Sequence, residues 1–253
     1  MNQVAEQDAS KNMSVWEQVQ KTDPGQTKNY KGQGGFEGTS INPTYLIQKA
    51  TRLWGPLGDK WGYNILEDRF DMGAPIIDPD TSVPTGTCFQ THTIKLELFY
   101  PKAGGESATV THYGHTPFVF KNKYGIQMDY EAPKKSLTDA LKKCLTMLGF
   151  SADIMLGDFE DADYRQEQEE RVRVEKAEDK IKEIETIKSE HREWLDKHCK
   201  TLETAASLHE LEKVFKIVVR TLKGRNDEDG IKRATKIKDT RKAELDSKQE
   251  SAA

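Results

Sequence analysis

An α+β fold is what this sequence predicts: an antiparallel β-meander packed against helices, followed by a charged, mostly helical C-terminal region. Three observations predict it. Residues 87–100 alternate at period two, with Cys88, Gln90, His92, Ile94, Leu96 and Leu98 at every second position, as a half-buried strand requires. Residues 132–156, APKKSLTDALKKCLTMLGFSADIML, carry Leu137, Leu141, Cys144, Leu145 and Leu148 at three- and four-residue spacing, the apolar stripe of an amphipathic helix. After Leu156 the chain turns to Glu, Lys and Arg.

The 253 residues suffice for one large domain or two small ones with a real core. Only 35% are hydrophobic and 32% are charged, so a sizeable share is expected as exposed helix. A net charge of −4 excludes a uniformly basic nucleic-acid coat. Its distribution is uneven: residues 41–150 hold 12 Lys and Arg against 11 Asp and Glu, whereas residues 151–253 hold 22 against 26. A local basic surface in the middle segment and an acidic tail are expected. Cys88, Cys144 and Cys199 are odd in number and lack zinc or redox spacing, which points to a reducing compartment. No apolar run approaches the roughly 20 residues that span a bilayer, and the N-terminus lacks a signal peptide's apolar core. A cytoplasmic protein without membrane contact is expected.

The elements follow in order. Residues 1–38 read as a flexible N-terminal segment, disordered over 1–13, with a short helix opened by the Ser14-Val15-Trp16-Glu17 capping box and ended by Asp23-Pro24-Gly25. The glycine-rich KGQGGFEG, residues 31–38, lacks the Gly-Lys-Ser/Thr ending of a phosphate-binding loop, so it reads as a flexible connection and no nucleotide cofactor is expected. A helix starts at Asn42-Pro43 and runs to Gly55. Residues 64–70 read as a strand, 73–86 (three prolines, two aspartates) as a loop, 101–106 as a turn and 108–120 as the return strand. A helix over 133–148, stopped by Gly149, packs on one face of this three-stranded sheet. Residues 164–203 read as one long exposed helix with a weak heptad seam, 207–222 as a more apolar helix opened by a second capping box, and 229–245 as a basic last helix.

Candidate catalytic chemistry is thin. Asp158, Glu160 and Asp161 form an acid cluster that could serve a metal-dependent nuclease or simply start a helix, where carboxylates suit the dipole. His112 and His115 fall on opposite faces of a strand, poor zinc geometry. No metal site, no cofactor and no enzyme activity are expected. What recurs is basic side chains beside aromatics: Lys49, Arg52, Trp54, Lys60, Trp61 and Tyr63; then Phe118, Phe120, Lys121, Lys123 and Tyr124; then Lys134, Lys135, Lys142 and Lys143. Cations neutralise phosphates and aromatic faces stack unpaired bases, which suits single-stranded nucleic acid. The same pattern is met if Trp54, Trp61 and Phe118 are core.

The order helix, WGPLGDKWGY, antiparallel strands, HYGHT and KKSLTDALKKCLTMLGFSADIMLG resembles the single-strand annealing proteins of phages, of the Erf and Sak kinds. More distantly it resembles the annealing domain of the eukaryotic strand-annealing recombination mediator. The likeness covers residues 39–164 and is closest at Thr138-Asp139-Ala140-Leu141-Lys142-Lys143 with Gly149, and at Trp54-Gly55 with Gly58 to Trp61. It implies homo-oligomeric rings or filaments that hold single-stranded DNA in a basic groove and anneal complementary strands without ATP in recombination and repair. It implies that Lys142 and Lys143 line that groove, although a basic residue common one turn later is Thr146 here and an arginine at the start of the earlier helix is replaced near Tyr45. Lys49, Arg52 and Lys60 would then supply the missing charge. Residues 165–253 would be the variable part, a charged stalk and small helical module that recruits partners such as the host single-stranded-DNA-binding protein. A single-strand binder without annealing activity, a metal-dependent nuclease and a structural interaction protein are the other readings the residues leave open.

Overall fold

A computed structural model of the protein describes residues 12–31, 35, 37–102 and 105–250. Residues 1–11, expected to be disordered, lie outside them, as do 32–34 and 36 of the glycine-rich stretch and 103–104 of the predicted turn. The chain divides into two compact units, Met1–Gly157 and Asp158–Ala253. The fold is α+β.

The first unit begins with helix α1, residues 12–19. The helix is already under way at Ser14, so that residue is not its cap; the Ser14 carbonyl instead accepts from Gln18 Nε2. After a 3-10 turn at Pro24–Gln26, strands β1 (Thr27–Lys31) and β2 (Glu37–Ile41) pair antiparallel, Thr27 opposite Ile41. The segment expected to be a flexible connection is therefore flanked by a β-hairpin. Asn42 caps α2 (Pro43–Trp54) by accepting from the Thr44 N–H, and Gly55, at φ 99°, ends it.

A four-stranded antiparallel sheet follows, β3 (Gly62–Ile77), β4 (Pro84–Pro101), β5 (Ser107–Asn122) and β6 (Gly125–Met128), in that order. The meander has one strand more than expected. Most of the predicted 73–86 loop is ladder: Pro75 pairs with Cys88 and Ile77 with Pro84. Two physical reasons hid it. β3 is an edge strand, where a proline costs no ladder bond, and register shifts between Met72 and Pro75 and between Pro75 and Ile77 break the period-two pattern. Only the turn remains, held by Asp78, whose carboxylate accepts from the Asp80 and Thr81 N–H groups.

Helix α3 (Ala132–Met147) lies across β4 and β5. Ser136 is inside it and buried, donating to the His92 carbonyl across the interface. Gly114 lets the helix approach: a Cβ there would stand 1.9 Å from the Ser136 carbonyl oxygen and 2.7 Å from the Ala140 nitrogen. The helix ends in a Schellman motif, with Phe150 N–H bonded to the Leu145 carbonyl and Gly149 N–H to that of Thr146. Gly149 takes φ 94°, and the Trp16 ring of α1 sits where its Cβ would be. A short α4 (Ala152–Met155) follows; its Asp153 carboxylate accepts from both the N–H and the hydroxyl of Thr22, tying the N-terminal strap to the segment after α3. The core joins Leu46, Ala50 and Trp54 to Ile94, Leu96 and Leu98 and to Leu141, Cys144, Leu145 and Phe150.

The second unit holds α5 (Ala162–Lys176), α6 (Lys180–Glu203), α7 (Leu208–Gly224) and α8 (Glu228–Glu250). The single long helix expected over 164–203 is broken at Ala177, and Asp179 caps its second half by accepting from Lys182 N–H. Arg173 then reaches back to Glu183 and Glu190 at 2.8 and 2.9 Å, closing α5 on α6. The predicted seam is only half a seam. Leu195, Cys199 and Leu202 are buried against Leu211, Val218, Leu222 and Ala234, while Ile181 and Ile184 face solvent. A packed helical unit replaces the expected stalk.

Candidate functional site

Lys142 and Lys143 follow directly on the buried pair Ala140 and Leu141, and the helical turn carries them to the rim of the face that meets the sheet. Both are half-exposed and both reach one carboxylate: Asp139 lies 3.6 Å from the Lys142 ammonium and 2.7 Å from that of Lys143. They wall a cavity of about 710 Å³. Tyr30, Ser40 and Ile41 of the β1–β2 hairpin form one side. Thr146 and Met147 at the end of α3, then Phe150, Ser151, Ile154 and Met155, form another, and His112 of β5 completes it. The lining is mostly apolar, with the cations at its edge.

The other predicted binding residues are dispersed. Lys49 donates to the carbonyls of Val19, at the end of α1, and of Lys21 just beyond it, at 2.5 and 2.7 Å, so its ammonium serves the fold. Arg52 is exposed on α2. Lys60 is exposed beside a separate cleft with Leu53, Trp54 and Pro101. Lys121 donates to the Ile77 carbonyl at 3.0 Å, and Lys123 stands 4.9 Å over the Tyr124 ring. Lys134 pairs with Glu131 at 2.5 Å and Lys135 with Asp129 at 2.6 Å. The Glu131 bond raises the Lys134 pKa, and the Lys135 bond holds the Asp129 carboxyl below the usual range. Among the described residues, Lys142 and Lys143 line one cavity together.

Of the aromatics proposed to stack bases, Trp54 and Trp61 are core: Trp61 is fully buried and donates its indole N–H to the Gly55 carbonyl. Phe118 packs on Phe70 at 4.7 Å between ring centres. Asp161 caps α5, accepting from the Asp163 and Tyr164 N–H groups, and lies 3.6 Å from Arg220, so it is occupied in holding a helix terminus. His115 bonds the Thr93 hydroxyl, and His112 Nδ1 is taken up by the main chain of Tyr113. Among the described residues no three His, Cys, Asp or Glu side chains are grouped to hold a metal ion, and no helix is long and apolar enough to cross a membrane.

Sequence reasoning missed the far wall of the cavity. Two five-residue segments, TKNYK and EGTSI, flank the glycine-rich stretch, which is a hairpin signature. In the Met-Leu-Gly-Phe-Ser run after the lysines, the stripe at Leu148 and the stop at Gly149 are legible locally, but the cavity wall is not.

No family model matches the chain, and no curated protein matches its sequence. What fold and site define is a class: an α+β protein whose curled antiparallel sheet carries a helix with two adjacent lysines at the rim of an apolar cavity. A separate helical unit follows it in the chain.

Proposed function

We propose that this protein binds single-stranded DNA along α3 and accelerates annealing of complementary strands without a nucleotide cofactor, as a homo-oligomer acting in phage-type recombination. The observation that carries the reading is the placement of Lys142 and Lys143, two successive ammonium groups at the edge of the cavity and held by one carboxylate between them. A phosphate arriving there competes, among the described residues, with Asp139. The resemblance of residues 39–164 to annealing proteins supports it independently of any geometry.

The mechanism needs neither a catalytic acid nor a base. Each subunit neutralises a few phosphates and releases their counterions, and an array of subunits multiplies that weak term. Pairing supplies the driving force, since duplex stacking yields about 1.4 kcal/mol per step. The helical unit would recruit a partner such as the host single-stranded-DNA-binding protein, and the host cytoplasm would be the site of action.

The test is annealing of two labelled complementary oligonucleotides in EDTA and without nucleotide, with products checked on a denaturing gel. Faster duplex formation from intact strands is the expected result. Binding without acceleration would make the protein a protective coat, and shortened strands in the presence of magnesium would make it a nuclease.

A further inference from the structure

The cavity beside Lys142 and Lys143 contains an anomaly that phosphate binding does not use. Ser151 lines it, is only 2% exposed, and its hydroxyl has no hydrogen-bond partner among the described residues. The residue is pinned there in the left-handed region, at φ 55°, with its N–H on the Val19 carbonyl at 2.9 Å. A buried hydroxyl without a partner is costly, and folded proteins satisfy nearly all of them. The Ser151 oxygen is enclosed by protein, so a rotation about χ1 turns it towards the cavity before an entering donor or acceptor can complete it.

The remaining walls say what kind of ligand. Phe150 is fully buried at the cavity, whereas Met147 and Met155 are 57% and 72% exposed. Thioethers are polarisable and adapt to the face of a planar ring. His112 has Nδ1 committed to the main chain, and its Nε2 has no partner among the described residues. Apolar walls, a few polar atoms and cations at the rim match a planar heterocycle tethered to a phosphate.

We infer that this cavity seats one base of the strand whose phosphates Lys142 and Lys143 hold, with Ser151 bonding the base edge and Met147 and Met155 covering its face. The inference rests on the single-strand reading above. One base is anchored per subunit, and the bases between anchors stay open for pairing. Unpaired bases contribute to binding through stacking whatever their identity, so the site selects strands that have bases over strands that have only charge.

The experiment uses the full chain with an oligothymidylate and an abasic oligonucleotide of equal length and charge, each titrated across a salt series. The abasic strand is expected to bind at least about fivefold more weakly with the same salt slope. Ser151→Ala, and separately Met147→Ala with Met155→Ala, should bring that ratio towards one and leave the slope unchanged. Ser151→Ala should melt no lower than the parent, because it removes an unsatisfied oxygen; this separates lost recognition from lost folding. Equal binding of both strands overturns the base site and leaves the single-strand reading standing. A ratio that persists in both variants places the base contact elsewhere and also overturns it. No binding of either strand removes the single-strand reading itself.

Discussion

Lys142 and Lys143 divide one carboxylate between them, and this makes their energetics testable residue by residue. Replacing both by Ala should lower single-strand affinity and reduce the slope of log K against log salt by about 1.4 per subunit, two phosphate contacts at the single-strand value. Circular dichroism should show the fold intact, because both side chains are half-exposed. Asp139→Asn should act in the opposite direction. It releases both ammonium groups from an exposed pairing of small worth and should tighten binding about two- to fivefold at low salt. An unchanged affinity in both variants would move the strand off α3. At the same scale, Gly114 is the residue least able to change. A methyl group there meets helix backbone at 1.9 Å, and backbone on a packed helix has no room to yield. Gly114→Ala should cost about 3 kcal/mol or more, read as a fall in the urea midpoint.

At the scale of elements, α3 links the core to the candidate site, and Cys144 reports on that packing. Its thiol is buried between β4 and β5, near the Leu96 and Val110 carbonyls, and burial pushes its pKa up to about 11. A thiol raised in the folded state above its unfolded value near 9 stabilises the protein fully below pH 9. That stability is lost as pH rises towards 11, because the unfolded chain then releases a proton the folded one keeps. Chemical unfolding across this window should show the decline in the parent, and Cys144→Ala, less stable at neutral pH through its cavity, should lack that component. In the native protein Cys88 should react with a thiol reagent well before Cys144. The N-terminal strap is an element of the same unit. Lys49 caps α1, Trp16 covers Gly149, and Thr22 clasps Asp153, so residues before Asn42 brace the end of α3 where the cavity opens.

At the scale of the whole molecule, the division after Gly157 predicts that the chain can be cut there. A protein ending at Gly157 should fold cooperatively and keep the single-strand affinity of each subunit, measured by fluorescence anisotropy. Each unit has its own core: Leu96, Leu145 and Phe150 in the first, Leu202, Leu211 and Leu222 in the second. Loss of folding in the truncated chain would mean the second unit is part of the first one's stability.

The sequence by itself determined the elements whose information is local. The stripe of Leu137, Leu141, Cys144, Leu145 and Leu148, the Asn42-Pro43 start, the Ser207 cap and the alternation through Ile94, Leu96 and Leu98 are each written within a few residues. They gave the fold class, a buried Cys144 and the neighbouring lysines. Only the tertiary structure decided the rest, because it depends on partners far away in the chain. β3 continues through Pro75 since its open edge demands no donor there. The helix of residues 164–203 breaks where Arg173 can fold back onto Glu190. Lys49 is spent on the end of a helix 30 residues earlier, which its neighbours on α2 do not foretell. The cavity exists because the paired strands β1 and β2, a strand at His112 and the turn after α3 converge, and no spacing in a one-dimensional pattern encodes that convergence.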